Sequence, residues 1–155
     1  MSTPLAEAVR AVEIGPLRQS LGFLLRLAQI ERFERFYAAF AGMGLSPGAF
    51  TALLVVQRNP GIRQGHLGKS LQIKPANLTK MIRNFEDRGL IARSIPDDDR
   101  RAVELALTGK GQELVLDSLP RFKQHESEIP DRLTPGEHRE LMRLLCKMVD
   151  MEETK

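Results

Sequence analysis

Between Pro16 and about Ala41 the apolar residues recur at helical spacing, as Leu17, Leu21, Leu24 and Ala28 and then Phe33, Phe36, Tyr37 and Phe40. This pattern predicts one long helix with a broad apolar stripe. Gly42-Met43-Gly44 closes it, and Ser46-Pro47 supplies an N-cap residue followed by proline at the first helical position. A second helix is therefore expected from Pro47 to Arg58, ended by the turn signal Asn59-Pro60-Gly61. A short helix over about Ile62 to Leu71 follows, then a turn at Gln72-Ile73-Lys74 and a helix from Pro75 to Asp87 or Arg88, with Gly89 as its closing residue. In that last helix Leu78, Met81, Ile82 and Phe85 stand at i, i+3, i+4 and i+7. Two short helices joined by a tight turn, the second with one apolar face, make a helix-turn-helix pattern.

Beyond Gly89 the period changes from helical to alternating. Leu90 to Ile95 reads as a strand, Val103, Leu105 and Leu107 alternate with Glu104 and Ala106 as a second, and the polar link Pro96 to Arg101 turns between them. Such a β-hairpin directly behind the second helix is a wing. The rest is helical, from Gly109 to about Glu128 with Thr108 as N-cap, and from Pro135 to about Met151, where Thr134 and Glu137 have capping-box spacing. Pro120 predicts a kink or break near Ser118-Leu119. Leu141, Leu144, Leu145 and Met148 give the last helix an apolar face. The fold class is mainly α with a small β-hairpin wing: a winged helix-turn-helix flanked by N- and C-terminal dimerisation helices, whose apolar stripes call for a second copy of the chain as cover.

Composition narrows the picture. At 155 residues one domain with a real core is expected, and no apolar run approaches the roughly 18 residues of a membrane span. The N-terminal MSTPLAEAVRAVEIG has no secretory-signal pattern, and the single cysteine, Cys146, can form no internal disulfide, so a cytoplasmic location is expected. With no Trp and 5% aromatic residues, the composition argues against a stacking platform for single-stranded nucleic acid. The net charge of +3 conceals an uneven distribution: +1 over residues 1–57, +5 over 58–101 and −3 over 102–155. A basic patch centred on the helix-turn-helix and wing is the electrostatic footprint of a phosphate-backbone binder.

The stretch Leu78-Thr79-Lys80-Met81-Ile82 through Asp87-Arg88-Gly89-Leu90-Ile91-Ala92-Arg93, with Asp99-Arg100-Arg101-Ala102 and Leu107-Thr108-Gly109-Lys110-Gly111, resembles the MarR family of bacterial transcriptional regulators. The most specific pieces are the D-x-R of the wing, matched by Asp99 and Arg101, and the L-T-x-K-G that follows. The resemblance implies a single MarR-type domain over 1–155, with dimerisation helices at 16–44 and 109–151 and the winged helix-turn-helix at 46–107. It also implies an obligate homodimer on a pseudopalindromic double-stranded operator, in most members a repressor, released in many by a small, often aromatic, ligand. Gly65 and Gly68 depart from the pattern, standing where good helix formers are expected.

Residue types then suggest roles. Asn77, Thr79, Lys80 and Arg83 are the polar side chains near the start of the second helix. Asn77 and Arg83 have the donor geometry to read adenine and guanine, with Lys80 and Thr79 nearer phosphate. By the family pattern Arg101 enters the minor groove, Arg100 meets a phosphate or solvent, and Asp99 supports the wing by orienting the Arg101 guanidinium. Asp97 and Asp98 read as a turn-forming, solvent-facing pair. For a small effector, Phe33, Phe36, Tyr37 and Phe40 beside Arg26 or Arg32 suit an anionic aromatic compound or its thioester, although a stripe of this kind is more often simply dimer core.

Catalytic and cofactor lookalikes lack residues that their motifs require. Gly68-Lys69-Ser70 resembles the end of a phosphate-binding loop but lacks the glycine five residues earlier, where Arg63 stands. His66, His125 and His138 have no metal-ligand spacing, and Cys146, among Leu144, Leu145 and Met148, reads as a buried core thiol. The expectation is a DNA-binding regulator with no enzymatic activity, metal or cofactor, the alternatives being an architectural DNA binder without effector and a winged-helix protein interaction module.

Overall fold

The structure, a computed structural model, describes residues 12–96, 99 and 102–151. A 3-10 turn over Gly15–Gln19 leads into helix α1 (Leu21–Ala39) and then α2 (Pro47–Arg58). The short strand β1 (Ile62–Arg63), α3 (Gln64–Ser70), α4 (Pro75–Asp87) and strands β2 (Ile91–Ser94) and β3 (Glu104–Leu107) follow, and α5 (Gly109–Ser127) and α6 (Pro135–Met148) complete the chain. The chain falls into two compact units, one reaching Arg121 and one beginning at Phe122. No helix among the described residues is long and apolar enough to cross a membrane.

Local chemistry accounts for most element boundaries. The Ser46 hydroxyl accepts the Ala49 N–H at 3.2 Å with Pro47 at the first turn, and the Thr134 hydroxyl accepts the Glu137 N–H while the Glu137 carboxylate accepts the Thr134 N–H at 2.8 Å. Gly89, at φ +68°, leaves α4 through the left-handed region that favours glycine.

Four expectations are corrected. The helix predicted from Pro16 to Ala41 is interrupted at Ser20, which is extended (ψ 112°) and accepts the Phe23 N–H; a serine side chain competes with the helical backbone for this donor, so α1 starts only at Leu21. The helix predicted from Ile62 begins at Gln64, because Ile62 and Arg63 pair with Leu105 and Glu104. The sheet thus has three antiparallel strands in the order β1-β3-β2, not two. Helix α5 runs through Pro120 without a break; the proline is exposed, so the carbonyl it leaves without a helical donor can be solvated. Finally, α6 ends at Met148 and not Met151, with Asp150 at φ +56° turning the chain away.

The core of the first unit gathers around the helix-turn-helix: Phe36 of α1 and Phe40 at its end, Phe50, Leu53 and Val56 of α2, Leu67 of α3, Leu78, Ile82 and Phe85 of α4, and Leu105 of β3 are all buried. Burial of Leu78, Ile82 and Phe85 rolls α4 so that its other face is exposed. Gly68 lets α3 approach: a Cβ there would lie 2.9 Å from Leu78 Cδ2. Of the two glycines expected to weaken α3, Gly68 is thus the one packed closely against α4, while Gly65 has open space around it.

In the second unit α6 contains no buried residue, and Leu141, Leu144 and Met148 are exposed. Cys146 is consequently half-buried in the single chain and not the core thiol its apolar neighbours suggest.

Candidate nucleic-acid interface

The exposed face of α4 carries Asn77, Lys80 and Arg83, with Thr79 half-buried beside them. All four lie on one helix whose opposite face is locked in the core, so their relative positions are rigid. The Thr79 hydroxyl donates to the Pro75 carbonyl at 3.0 Å, which leaves its oxygen lone pairs for an incoming donor. The first turn of α4 presents Lys74 and contains no acidic residue, so charge and helix dipole are both favourable to a phosphate.

Between α4 and the wing lies an open cleft of about 770 Å³, bordered by Gln64, His66 and Lys69 of α3, Lys74 in the turn, Thr79, and Asp99 of the wing. At its rim Asp99 Oδ2 accepts from Arg63 Nη1 at 3.4 Å. The expected partner Arg101, with Arg100, Asp97 and Asp98, lies outside the described residues; the contact seen for Asp99 is with Arg63 of β1.

Several basic residues of the +5 segment are engaged within the protein. Arg93 on β2 pairs with Glu86 on α4 at 2.8 Å, fastening the hairpin to the helix. Arg88 donates to the carbonyls of Gly44 at 2.9 Å and Met43 at 3.3 Å. The L-T-x-K-G segment clasps the exit of α4: the Thr108 hydroxyl donates to the Gly89 carbonyl at 2.6 Å and accepts the Gly111 N–H, while Lys110 Nζ donates to the Arg88 carbonyl at 2.8 Å, where a cation also suits the helix dipole. Thr108 N–H donates to the Leu90 carbonyl at 3.0 Å, and that carbonyl lies so near Gly111 that no Cβ fits there. Sequence reasoning singled out this segment as a signature but missed its mechanical role, as it missed Arg63 and Arg88.

Residues 45–103 match the model of the MarR family. The chain is 28% identical over 148 residues, 95% of its length and 87% of the other, to a protein of Thauera aromatica named as transcriptional regulator for the hcr operon. It is 28% identical over 129 residues to an HTH-type transcriptional repressor of Mycobacterium tuberculosis, covering 83% of this chain and 92% of that one. The transcriptional repressor CouR, solved on a 23-mer DNA duplex, superposes with a TM-score of 0.81 at 30% identity, covering 89% of this chain and 98% of that one. The chain belongs to the MarR family. CouR has also been solved with p-coumaroyl-CoA, and that structure superposes with a TM-score of 0.80 at 28% identity. As a MarR-family regulator the chain is a winged helix-turn-helix protein, as its pattern of elements predicts.

The aromatic stripe considered for an effector divides in two. Phe36 and Phe40 are 3% and 2% exposed, stack at 4.0 Å between centroids and 9° between planes, and pack on Phe50. Phe33 and Tyr37 are 40% and 53% exposed, and with exposed Arg26 they fall at i, i+7 and i+11 on one face of α1.

Proposed function

We propose that the chain is a homodimeric, non-enzymatic, cytoplasmic transcriptional repressor that binds a pseudopalindromic operator and is released by a small aromatic ligand. The observation that carries this reading is the outward face of α4, where Asn77, Lys80 and Arg83 stand exposed on a helix held rigidly by Leu78, Ile82 and Phe85. On this reading Asn77 and Arg83 address base edges in the major groove, Lys80 addresses a phosphate, as does Thr79 once its hydroxyl turns from the Pro75 carbonyl, and Arg100 and Arg101 carry the wing to the neighbouring minor groove with Asp99 in support.

A second copy of the chain covers the apolar faces of α1 and α6, where Leu21, Leu24, Leu141, Leu144 and Met148 are exposed. Arg26, Phe33 and Tyr37 form the surface for the ligand, an aromatic acid or its coenzyme A thioester, while Phe36 and Phe40 serve from behind as packing. The binding of p-coumaroyl-CoA by CouR supports this class of ligand. Selecting bound sequences from a random DNA pool tests the first half of the reading: a pseudopalindrome with half-sites about one helical turn apart is expected, and recovery of unrelated sequences overturns it. Titrating aromatic acids and their thioesters into the complex with that duplex tests the second half. Release is the expected result, and indifference to the whole series favours an architectural binder.

A further inference from the structure

The exit of α4 is tied to two other parts of the chain at once. The main-chain carbonyls of Arg88, Gly89 and Leu90 accept from Lys110 Nζ, the Thr108 hydroxyl and the Thr108 N–H, all at the entry to α5. The Arg88 side chain reaches the opposite way, 44 and 45 residues back in sequence, to the carbonyls of Gly44 and Met43 in the loop that follows α1. Arg121 on α5 donates to the Ala39 carbonyl at the end of α1 at 3.3 Å, so α1 and α5 are also joined directly. We propose that Arg88 is a positioning residue for operator recognition: it fixes the angle and offset of α4 relative to α1 and α5, and so sets the separation of the two recognition helices in the dimer. This inference rests on the dimeric operator-binding reading above.

The chemistry favours a guanidinium here. Its donors are held in a planar fork, so two carbonyls of successive turn residues can be engaged from one rigid group, which a single ammonium cannot do with the same directional constraint. The bonds also occupy the cation. A basic side chain whose nitrogens are directed at loop carbonyls is not disposed to neutralise a phosphate, although by sequence Arg88 belongs to the basic patch.

The two roles give different results in one experiment. The duplex selected from a random pool by the wild-type protein is compared with duplexes whose half-sites are moved one base pair apart or together, and with random DNA, across a salt series. For Arg88→Ala the operator affinity is expected to fall about tenfold or more, the range for losing hydrogen bonds to a charged group. The preference for the native half-site spacing shrinks, while random-DNA affinity and its salt slope stay at wild-type values. Arg88→Lys, which keeps the charge and one bond, recovers part of the spacing preference. If random-DNA affinity falls equally and the salt slope drops by about 0.9, Arg88 is a phosphate contact and the proposal fails. It fails too if Arg88→Ala keeps the wild-type affinity and spacing preference. Circular dichroism and thermal melting of each variant separate these outcomes from unfolding: an unfolded Arg88→Ala leaves the decision to Arg88→Lys, whose spacing preference must then lie below wild type. A wild-type protein without operator preference refutes the dimeric reading itself, and this inference with it.

Discussion

Asp99 of the wing accepts a hydrogen bond from Arg63 of β1 at 3.4 Å, joining two residues 36 apart in sequence across the rim of the cleft beside α4. Both side chains are about 40% exposed, so the pair contributes at most about 1 kcal/mol to stability. On the proposed reading its role is to hold the wing. Simple electrostatics predicts that Asp99→Ala, by adding positive charge, tightens DNA binding, whereas the wing-support role predicts weaker binding. We expect operator affinity to fall by up to about 1 kcal/mol in Asp99→Ala and in Arg63→Ala. The double variant is expected to be no worse than the weaker single one, as measured by fluorescence anisotropy; tighter binding by Asp99→Ala contradicts the support role.

On the proposed reading the α4 side chains differ in what they address. Arg83→Ala and Asn77→Ala are expected to lose roughly 1–3 kcal/mol of operator affinity and to relax selectivity at single positions of the site. Lys80→Ala should instead weaken operator and random DNA alike and reduce the salt slope by about 0.9. Arg101→Ala is expected to behave as Arg83→Ala does, at A·T-rich positions flanking the half-sites. Competition titrations at several salt concentrations distinguish these patterns.

Two glycines should respond to alanine in opposite directions. At Gly111 the new Cβ meets the Leu90 main chain, which cannot move without disturbing the exit of α4, so Gly111→Ala should destabilise by about 1–3 kcal/mol. At Gly65, inside α3 with open space around it, the same change should stabilise by about 0.5–1 kcal/mol. Urea denaturation of the two variants reads both signs.

The capping box of α6 carries a pH signature. The N–H of Thr134 and then its hydroxyl donate to the Glu137 carboxylate and hold its pKa below the usual carboxylate range. A group with a lowered folded pKa stabilises the fold at pH values above its ordinary pKa of about 4.3, and this contribution disappears as pH falls through the lowered value. Thermal melts of wild type should therefore lose part of their stability below about pH 4.3 in a way that Glu137→Gln does not reproduce. Thr134→Ala should cost about 1 kcal/mol at neutral pH through loss of the cap.

The parts of this protein legible in its sequence are those governed by chemistry within a few residues. The 3.6-residue period placed Leu78, Ile82 and Phe85 on the buried side of α4, and so exposed Asn77, Lys80 and Arg83. Ser46, Gly89 and Thr134 marked helix ends because caps and left-handed exits are local events. The MarR-like signature at Leu107 to Gly111 was visible as a string, without its meaning.

What only the tertiary structure decided depends on partners far along the chain, which leave no trace in local spacing. Ile62 is a strand residue because Leu105 is across from it, and a side chain at Gly68 would crowd Leu78. The aromatic stripe of α1 divides because Phe50 covers Phe36 and Phe40 and leaves Phe33 and Tyr37 at the surface. Charge counting treats all basic residues of the segment alike, yet Arg88 and Arg93 are directed at acceptors of the protein itself, while Lys80 and Arg83 face outward. A formal charge is fixed by residue type; whether it meets a carbonyl, a carboxylate or solvent is decided by distances that the folded chain alone sets.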